Sequence, residues 1–247
     1  VDSTRAVGLA IGRAARPPRV WLQMSTATIY AHRFDAPNDE VEGRIGGDEP
    51  DAPPSWRHSI DIALAWERAL RDAPAPATRK VAMRTAMVMS PRPGGVFAML
   101  DRLARLGLGG AIAGGRQLVS WIHEEDFAGA VAFLLERDDL AGAVNLASPH
   151  PLPQGELMAA LRAAEGVPIG LPATRWMAEL GAFLLRTETE LVLKSRRVVP
   201  RRLLEAGFAF RHPRWAEAVR DLVARGRAAR GAAASCAGAG PSPSGSR

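Results

Sequence analysis

Apolar residues recur at Val7, Ala10, Ile11 and Ala14, the spacing of one helix face, with Asp2 or Ser3 placed to cap the helix and Pro17-Pro18 to stop it. The run from Val20 to Met24 then reads as a strand. From His32 to Ser55 the chain is polar and rich in Gly, Pro and Asp, which predicts a long loop of the kind that lies beside a site. A second helix, roughly Trp56 to Leu70, leads through a loop from Asp72 to Arg79 into a strand from Val81 to Met89. This alternation of helix and strand predicts a parallel sheet covered by helices.

After Pro91 and Pro93 come a short helix with Val96, Leu100 and Leu103, the glycine-rich segment Gly107 to Gln117, and a strand from Leu118 to Ile122. A helix from about Asp126 places Phe127, Ala130, Val131 and Leu134 at helical spacing, and Ala143 to Leu146 forms another strand. Ser148 to Pro153 marks a boundary. Beyond it lie helices around Leu157, Ala160, Leu161 and Ala164, around Trp176, Leu180, Phe183 and Leu184, and around Trp215, Val219, Leu222 and Val223. The expected organisation is a partial doubly wound α/β domain over residues 1–150, a small, mainly helical domain over 151–225, and a disordered Gly/Ala/Ser/Pro tail over 226–247.

Composition changes this picture little. With 247 residues, 47% of them hydrophobic and 23% charged, the chain is globular in composition. It contains neither a membrane-length apolar run nor the order of a secretory signal, so the expected compartment is the cytoplasm. Cys236 is the only cysteine, which excludes disulfide frameworks and cysteine metal sites. The net charge of +6 is uneven: between Lys194 and Arg230 eleven Lys/Arg stand against three Asp/Glu, and the remainder is slightly acidic. No aromatic-interleaved basic run accompanies that cluster, so a solvated face is favoured over nucleic-acid binding.

Several strings carry a resemblance. S-T-A-T-I-Y at Ser25 to Tyr30 and W-I-H-E-E-D-F-A-G-A at Trp121 to Ala130 resemble segments of the NAD-dependent epimerase/dehydratase family, within the extended short-chain dehydrogenase/reductase superfamily. R-T-A-M-V-M-S-P at Arg84 to Pro91 resembles its later sheet strand. G-L-G-G-A-I-A-G-G-R-Q, N-L-A-S-P-H-P at Asn145 to Pro151 and V-V-P-R-R-L-L-E-A-G-F-A-F at Val198 to Phe210 narrow this to an atypical epimerase-like branch with a small C-terminal domain of unknown function. The resemblance implies a Rossmann-like doubly wound sheet binding NAD(P), with a tyrosine and a lysine four residues later moving a proton while the nicotinamide moves a hydride. It places the family's catalytic Ser/Thr on Thr26, with Ser25 beside it, and cofactor contacts on Arg84 and Thr85, although Arg84 also suits local pairing.

The chain departs from that pattern. The tyrosine and lysine positions, counted from Trp66-Glu67, fall near Ser59 and Ala63. Tyr30, the only tyrosine, matches a structural turn, and Phe34 stands four residues after it. The first strand matches the family's fifth, so the glycine-rich cofactor turn has no counterpart and an open edge is expected at Val20 to Met24. Substrate positions are expected at His32, Arg33, Arg116, Gln117 and His123, with a junction role as the alternative for His123, and no metal site is expected. The expectation is an incomplete, inactive epimerase-like protein that does not bind NAD(P). Full-length relatives would act on a small molecule, and this chain would pair with itself or with a missing N-terminal half. A non-catalytic interaction module is the alternative.

Overall fold

The computed structural model describes residues 1–49, 54–172 and 194–238. Helix α1 (Asp2–Arg13) precedes strand β1 (Val20–Thr26), and after a 3-10 turn at Ala27–Ile29 the chain reaches α2 (Pro54–Arg71). Strands β2 (Arg79–Thr85) and β3 (Met87–Met89) follow, then α3 (Val96–Arg105), β4 (Leu118–Val119), β5 (Trp121–His123) and α4 (Glu124–Glu136). The last described elements are β6 (Gly142–Leu146), β7 (Leu152–Pro153), α5 (Gln154–Glu165), α6 (Arg201–Glu205) and α7 (Trp215–Gly238).

The main sheet is parallel with order β1-β2-β6, pairing Val20 with Arg79 through Thr26 with Thr85. The architecture is α/β, a Rossmann-like parallel sheet flanked by helices. Among the described residues no strand pairs with the outer edge of β1. The expected strand from Val81 to Met89 divides at Ala86. Its first part stays in the main sheet, and β3 turns to pair with β5. The expected strand from Leu118 to Ile122 divides in the same way at Ser120, because β4 pairs antiparallel with β7.

The sequence pattern misassigns the inner face of α1. Thr4 and Gly8 are buried, whereas Val7 is 45% exposed. A Cβ on Gly8 would stand 2.7 Å from the Ala73 Cβ and 3.3 Å from the Trp21 ring, so the missing side chain lets the helix approach closely. Nor is α1 capped as expected: its N-cap is Val1, with no side-chain bond.

The long polar loop is ordered by its own side chains. Asn38 is fully buried: its amide donates to the Ala31 carbonyl and its Oδ1 accepts from the Arg44 N–H. Asp39 Oδ1 accepts from the amides of Val41 and Glu42. A core cluster of Met89, Phe97, Trp121, Leu157, Leu161, Trp215 and Leu222 takes residues from both sides of position 150.

Over residues 226–238 the expected disorder gives way to helix, because α7 continues to Gly238. Ala and Arg favour the helix there, and Arg227 and Arg230 attach it to acids on α3 and α5. The helix expected around Trp176 lies outside the described residues. No helix among the described residues is long and apolar enough to cross a membrane.

Gly8→Val is expected to destabilise the fold by about 1–3 kcal/mol through overpacking. Val7→Ala is expected to stay within about 0.5 kcal/mol. Urea denaturation of the two variants checks the assignment, and a larger loss at Val7 would reverse it.

Candidate functional site

The C-terminal ends of β1 and β2 open into a cavity of about 210 Å³ lined by Thr26, Ala27, Thr28, Thr85, Ala86, Met87, Val96, Ser120 and Arg196. Crevices at strand ends of this kind are where α/β sheets bind ligands. Thr26 caps the 3-10 turn, its Oγ1 accepting from the Thr28 N–H at 3.1 Å, and its hydroxyl donates to Thr28 Oγ1 at 2.9 Å. Thr85 lines the same cavity while its hydroxyl donates to the Met83 carbonyl.

Strand alternation sends the neighbouring residues to the other face. Ser25 Oγ donates to Glu67 Oε1 at 2.7 Å, and Arg84, its register partner, grips both Glu67 oxygens at 2.8 Å. Arg84 Nη1 also donates to the Tyr30 hydroxyl at 3.0 Å, and that hydroxyl donates to Asn145 Oδ1 at 2.9 Å. Tyr30 is fully buried, and desolvation raises its pKa above the ordinary phenol value despite Arg84. Both hydrogen-bonding functions of this phenol are therefore used away from the cavity. Ala63, at the expected lysine position, is buried in the cluster around Tyr30 and Ile60. Ser59 lies on α2 with it.

The remaining sequence-expected residues are dispersed. His32 Nδ1 accepts from the Ser195 N–H at 2.7 Å, and its ring contacts Phe34 and Trp56. Burial lowers the His32 pKa. Arg33 forms a two-point pair with Asp35 at 2.8 and 2.7 Å. Arg116 is exposed, and buried Gln117 donates to the Ile112 carbonyl. Both belong to the glycine-rich loop, which folds onto the start of α5: Gln154 Oε1 accepts from the Ile112 amide, and the Gly155 amide donates to the Gly115 carbonyl.

His123 lies at the far end of β5 and is fully buried. Its Nδ1 accepts from the Glu125 amide at 3.1 Å and caps α4, which leaves the proton on Nε2 to donate to Asp221 at 3.1 Å. The His212 ring lies 3.9 Å away between centroids. His123, His212 and Asp221 come close enough to suggest a metal site. The His123 tautomer offers no lone pair, and Arg225 already bonds Asp221, so the chemistry of this set does not fit a cation.

Sequence reasoning missed the segment that closes the cavity. Lys194 is buried and its ammonium donates to the Thr28 carbonyl at 2.9 Å while lying 5.5 Å from the Trp56 ring centre. The Arg196 amide donates to the Leu118 carbonyl, and Ser120 Oγ donates to the Arg196 carbonyl and accepts from the Val198 amide. The one available signal was that Lys194 is one of only two lysines in an arginine-rich chain.

Comparison with known proteins places this geometry. A model for a domain of unknown function, DUF1731, matches residues 173–222, the region that includes this closing segment. The bovine epimerase family protein SDR39U1 is 31% identical over 225 residues, a match covering 91% of this chain and 72% of the relative. The chain belongs to the SDR39U1 epimerase family. The mouse family member is 32% identical over 227 residues with the same coverage. The solved human SDR39U1 (isoform 2) with NADPH superposes with a TM-score of 0.78 at 28% identity, covering 90% of this chain and 71% of that one. Because the chain spans most of the SDR39U1 relatives, these comparisons give no support to the expectation of a missing N-terminal part.

For NADPH, which is present in the human SDR39U1 structure, the described residues fit only in part. The cavity lined by Thr26, Ala86 and Met87 lies at the strand ends, where α/β sheets bind ligands. The glycine-rich loop follows the C-terminus of α3 and packs on α5, so it opens no helix N-terminus toward a pyrophosphate.

Burial lowers the His123 pKa below 6.5, with His212 adding to the effect. Its contribution to stability is thus present above pH 6.5 and lost as pH falls toward the folded-state value. Melting temperatures of wild type and His123→Gln should converge between about pH 7.5 and pH 5. A pH-independent gap between them would contradict this assignment.

Proposed function

We propose that this protein keeps the ligand-facing cavity of the SDR39U1 epimerase family and binds a small hydroxyl- or carbonyl-bearing molecule there, without running the family's tyrosine–lysine proton transfer on its own residues. The observation that carries this reading is the commitment of Tyr30 to Arg84 and Asn145 on the opposite face of the sheet. Ala63 offers no charge in place of the lysine, and serine without a neighbouring base is a poor proton donor near neutrality.

In this reading Thr26 and Thr28 contact the ligand. The Thr26 hydroxyl donates to Thr28 Oγ1, which leaves the Thr28 hydroxyl to donate to a ligand oxygen, with Lys194 holding the Thr28 carbonyl. Thr85 and Ser120 form the walls. His32 and Arg33 support the closing segment through Ser195. Residues 151–225 are taken as the C-terminal unit that completes the cavity.

A second reading, catalysis with NAD(P), is favoured by the NADPH-bound human relative. NADPH, when bound, would supply a hydride at the nicotinamide; the residues of this chain near such a ring are Thr26, Ala86 and Met87.

Calorimetric titration separates the two readings. Neither NADPH nor NADH is expected to bind at about micromolar concentration, and binding in that range would overturn the proposal in favour of the second reading.

A further inference from the structure

We propose that His32 is a proton-released latch: its neutral ring holds the segment 194–198 that closes the cavity, and its protonation lets that segment go. The contact itself fixes the protonation state. His32 Nδ1 lies 2.7 Å from the Ser195 amide nitrogen. A backbone N–H can only donate, so Nδ1 presents a lone pair and the neutral ring carries its proton on Nε2. A proton added to Nδ1 would meet the Ser195 N–H donor to donor and leave that amide without its acceptor.

The rest of the closing segment is held by groups that do not titrate near neutrality. Ser195 Oγ accepts from the Leu118 amide at 3.1 Å and donates to the Arg33 carbonyl at 3.3 Å. The Arg196 amide donates to the Leu118 carbonyl at 2.7 Å, and the Asn38 amide donates to the Arg197 carbonyl at 2.7 Å. Ser120 Oγ holds the Arg196 carbonyl and the Val198 amide. Of the described hydrogen bonds to residues 195–198, the one at His32 alone involves a side chain that changes charge in the neutral to mildly acid range.

The latch sits between two residues that reach the ligand side. Arg196 lines the cavity, and Lys194 holds the carbonyl of Thr28, which lines it too. Lys194 and Arg196 also oppose a positive charge on His32, whereas Glu49, whose Oε1 accepts from the His32 backbone N–H at 2.8 Å, favours one. The Phe34 and Trp56 rings in contact with the imidazole are uncharged. Burial, the largest influence, acts with the two cations against Glu49 and holds the His32 pKa below its ordinary 6.5. A lowered folded-state pKa means that the contribution of His32 is present above pH 6.5 and is lost as pH falls through the folded-state value. The cavity wall is therefore held at neutral pH and loosens in acid. Control of ligand binding in this way rests on the reading that the ligand occupies the cavity; the latch rests on the Ser195 contact.

Imidazole-nitrogen NMR and amide hydrogen exchange of the full chain, with no ligand added, test the latch apart from ligand binding. At about pH 7.5 the His32 signals should report a bare Nδ1 and a protonated Nε2. The titration midpoint should lie below 6.5. As pH falls through that midpoint, protection of the Ser195 and Arg196 amides, corrected for intrinsic rates, should drop about five- to tenfold relative to amides of β2. His32→Asn, whose Oδ1 replaces Nδ1 as acceptor but does not titrate, should lose that dependence. A midpoint at or above 6.5, a proton on Nδ1 of the neutral ring, constant protection in the wild type, or wild-type pH dependence in His32→Asn would each overturn the proposal. Should that variant fail to fold, His32→Phe, which keeps a ring against Phe34 and Trp56 but offers no acceptor, should show low Ser195 protection on both sides of the midpoint. Wild-type protection in His32→Phe would overturn the proposal equally.

Discussion

The two-point pair between Arg84 and Glu67 is the constraint from which the rest of the site follows. It lies between β2 and α2 with both side chains nearly buried, 12% and 14% exposed, where an unpaired charge would be strongly destabilising. Satisfying it takes Ser25 from β1, and the spare Arg84 nitrogen takes the Tyr30 hydroxyl. Tyr30 passes the chain on to Asn145, whose amide nitrogen reaches the Val199 carbonyl. One network therefore ties the three main-sheet strands, α2 and the C-terminal segment together. The only phenol in the molecule is one of its links.

The second organising feature is charge compensation over long sequence distances. The surplus of arginines between Lys194 and Arg230 faces acids from earlier elements. Arg201 meets Asp39 and Glu42, Arg225 meets Glu124 and Glu125, and Arg227 and Arg230 meet Glu165 and Asp101. Exposed pairs of this kind contribute little one at a time, and the nearly buried acid ends matter more because they need a partner. The slight acidity of the rest of the chain and the basic C-terminal run are two halves of one arrangement.

Much of the fold was legible in the sequence because the dominant signal, apolar periodicity, is local. Helix α2 and strands β1 and β6 follow it closely. The failures have non-local causes. Gly8 outranks Val7 because Trp21 and Ala73 come close to it, and the strands divide at Ala86 and Ser120 because their partners change. Alternation along β1 sends Ser25 to the face opposite Thr26, and only the register with β2 sets Arg84 beside Ser25. Arg196 reaches the cavity, and Lys194 the Thr28 carbonyl beside it, from more than 160 residues downstream of Thr26, a distance no periodicity encodes.

Because Tyr30 is the only tyrosine, its ionisation can be followed by ultraviolet absorbance without assignment. The account predicts that in the native protein it stays neutral beyond pH 10 and ionises only as the fold is lost, since burial raises its pKa above the ordinary value of 10.0. A native-state titration well below 10, as an activated catalytic phenol would give, would contradict the claim that this residue is structural.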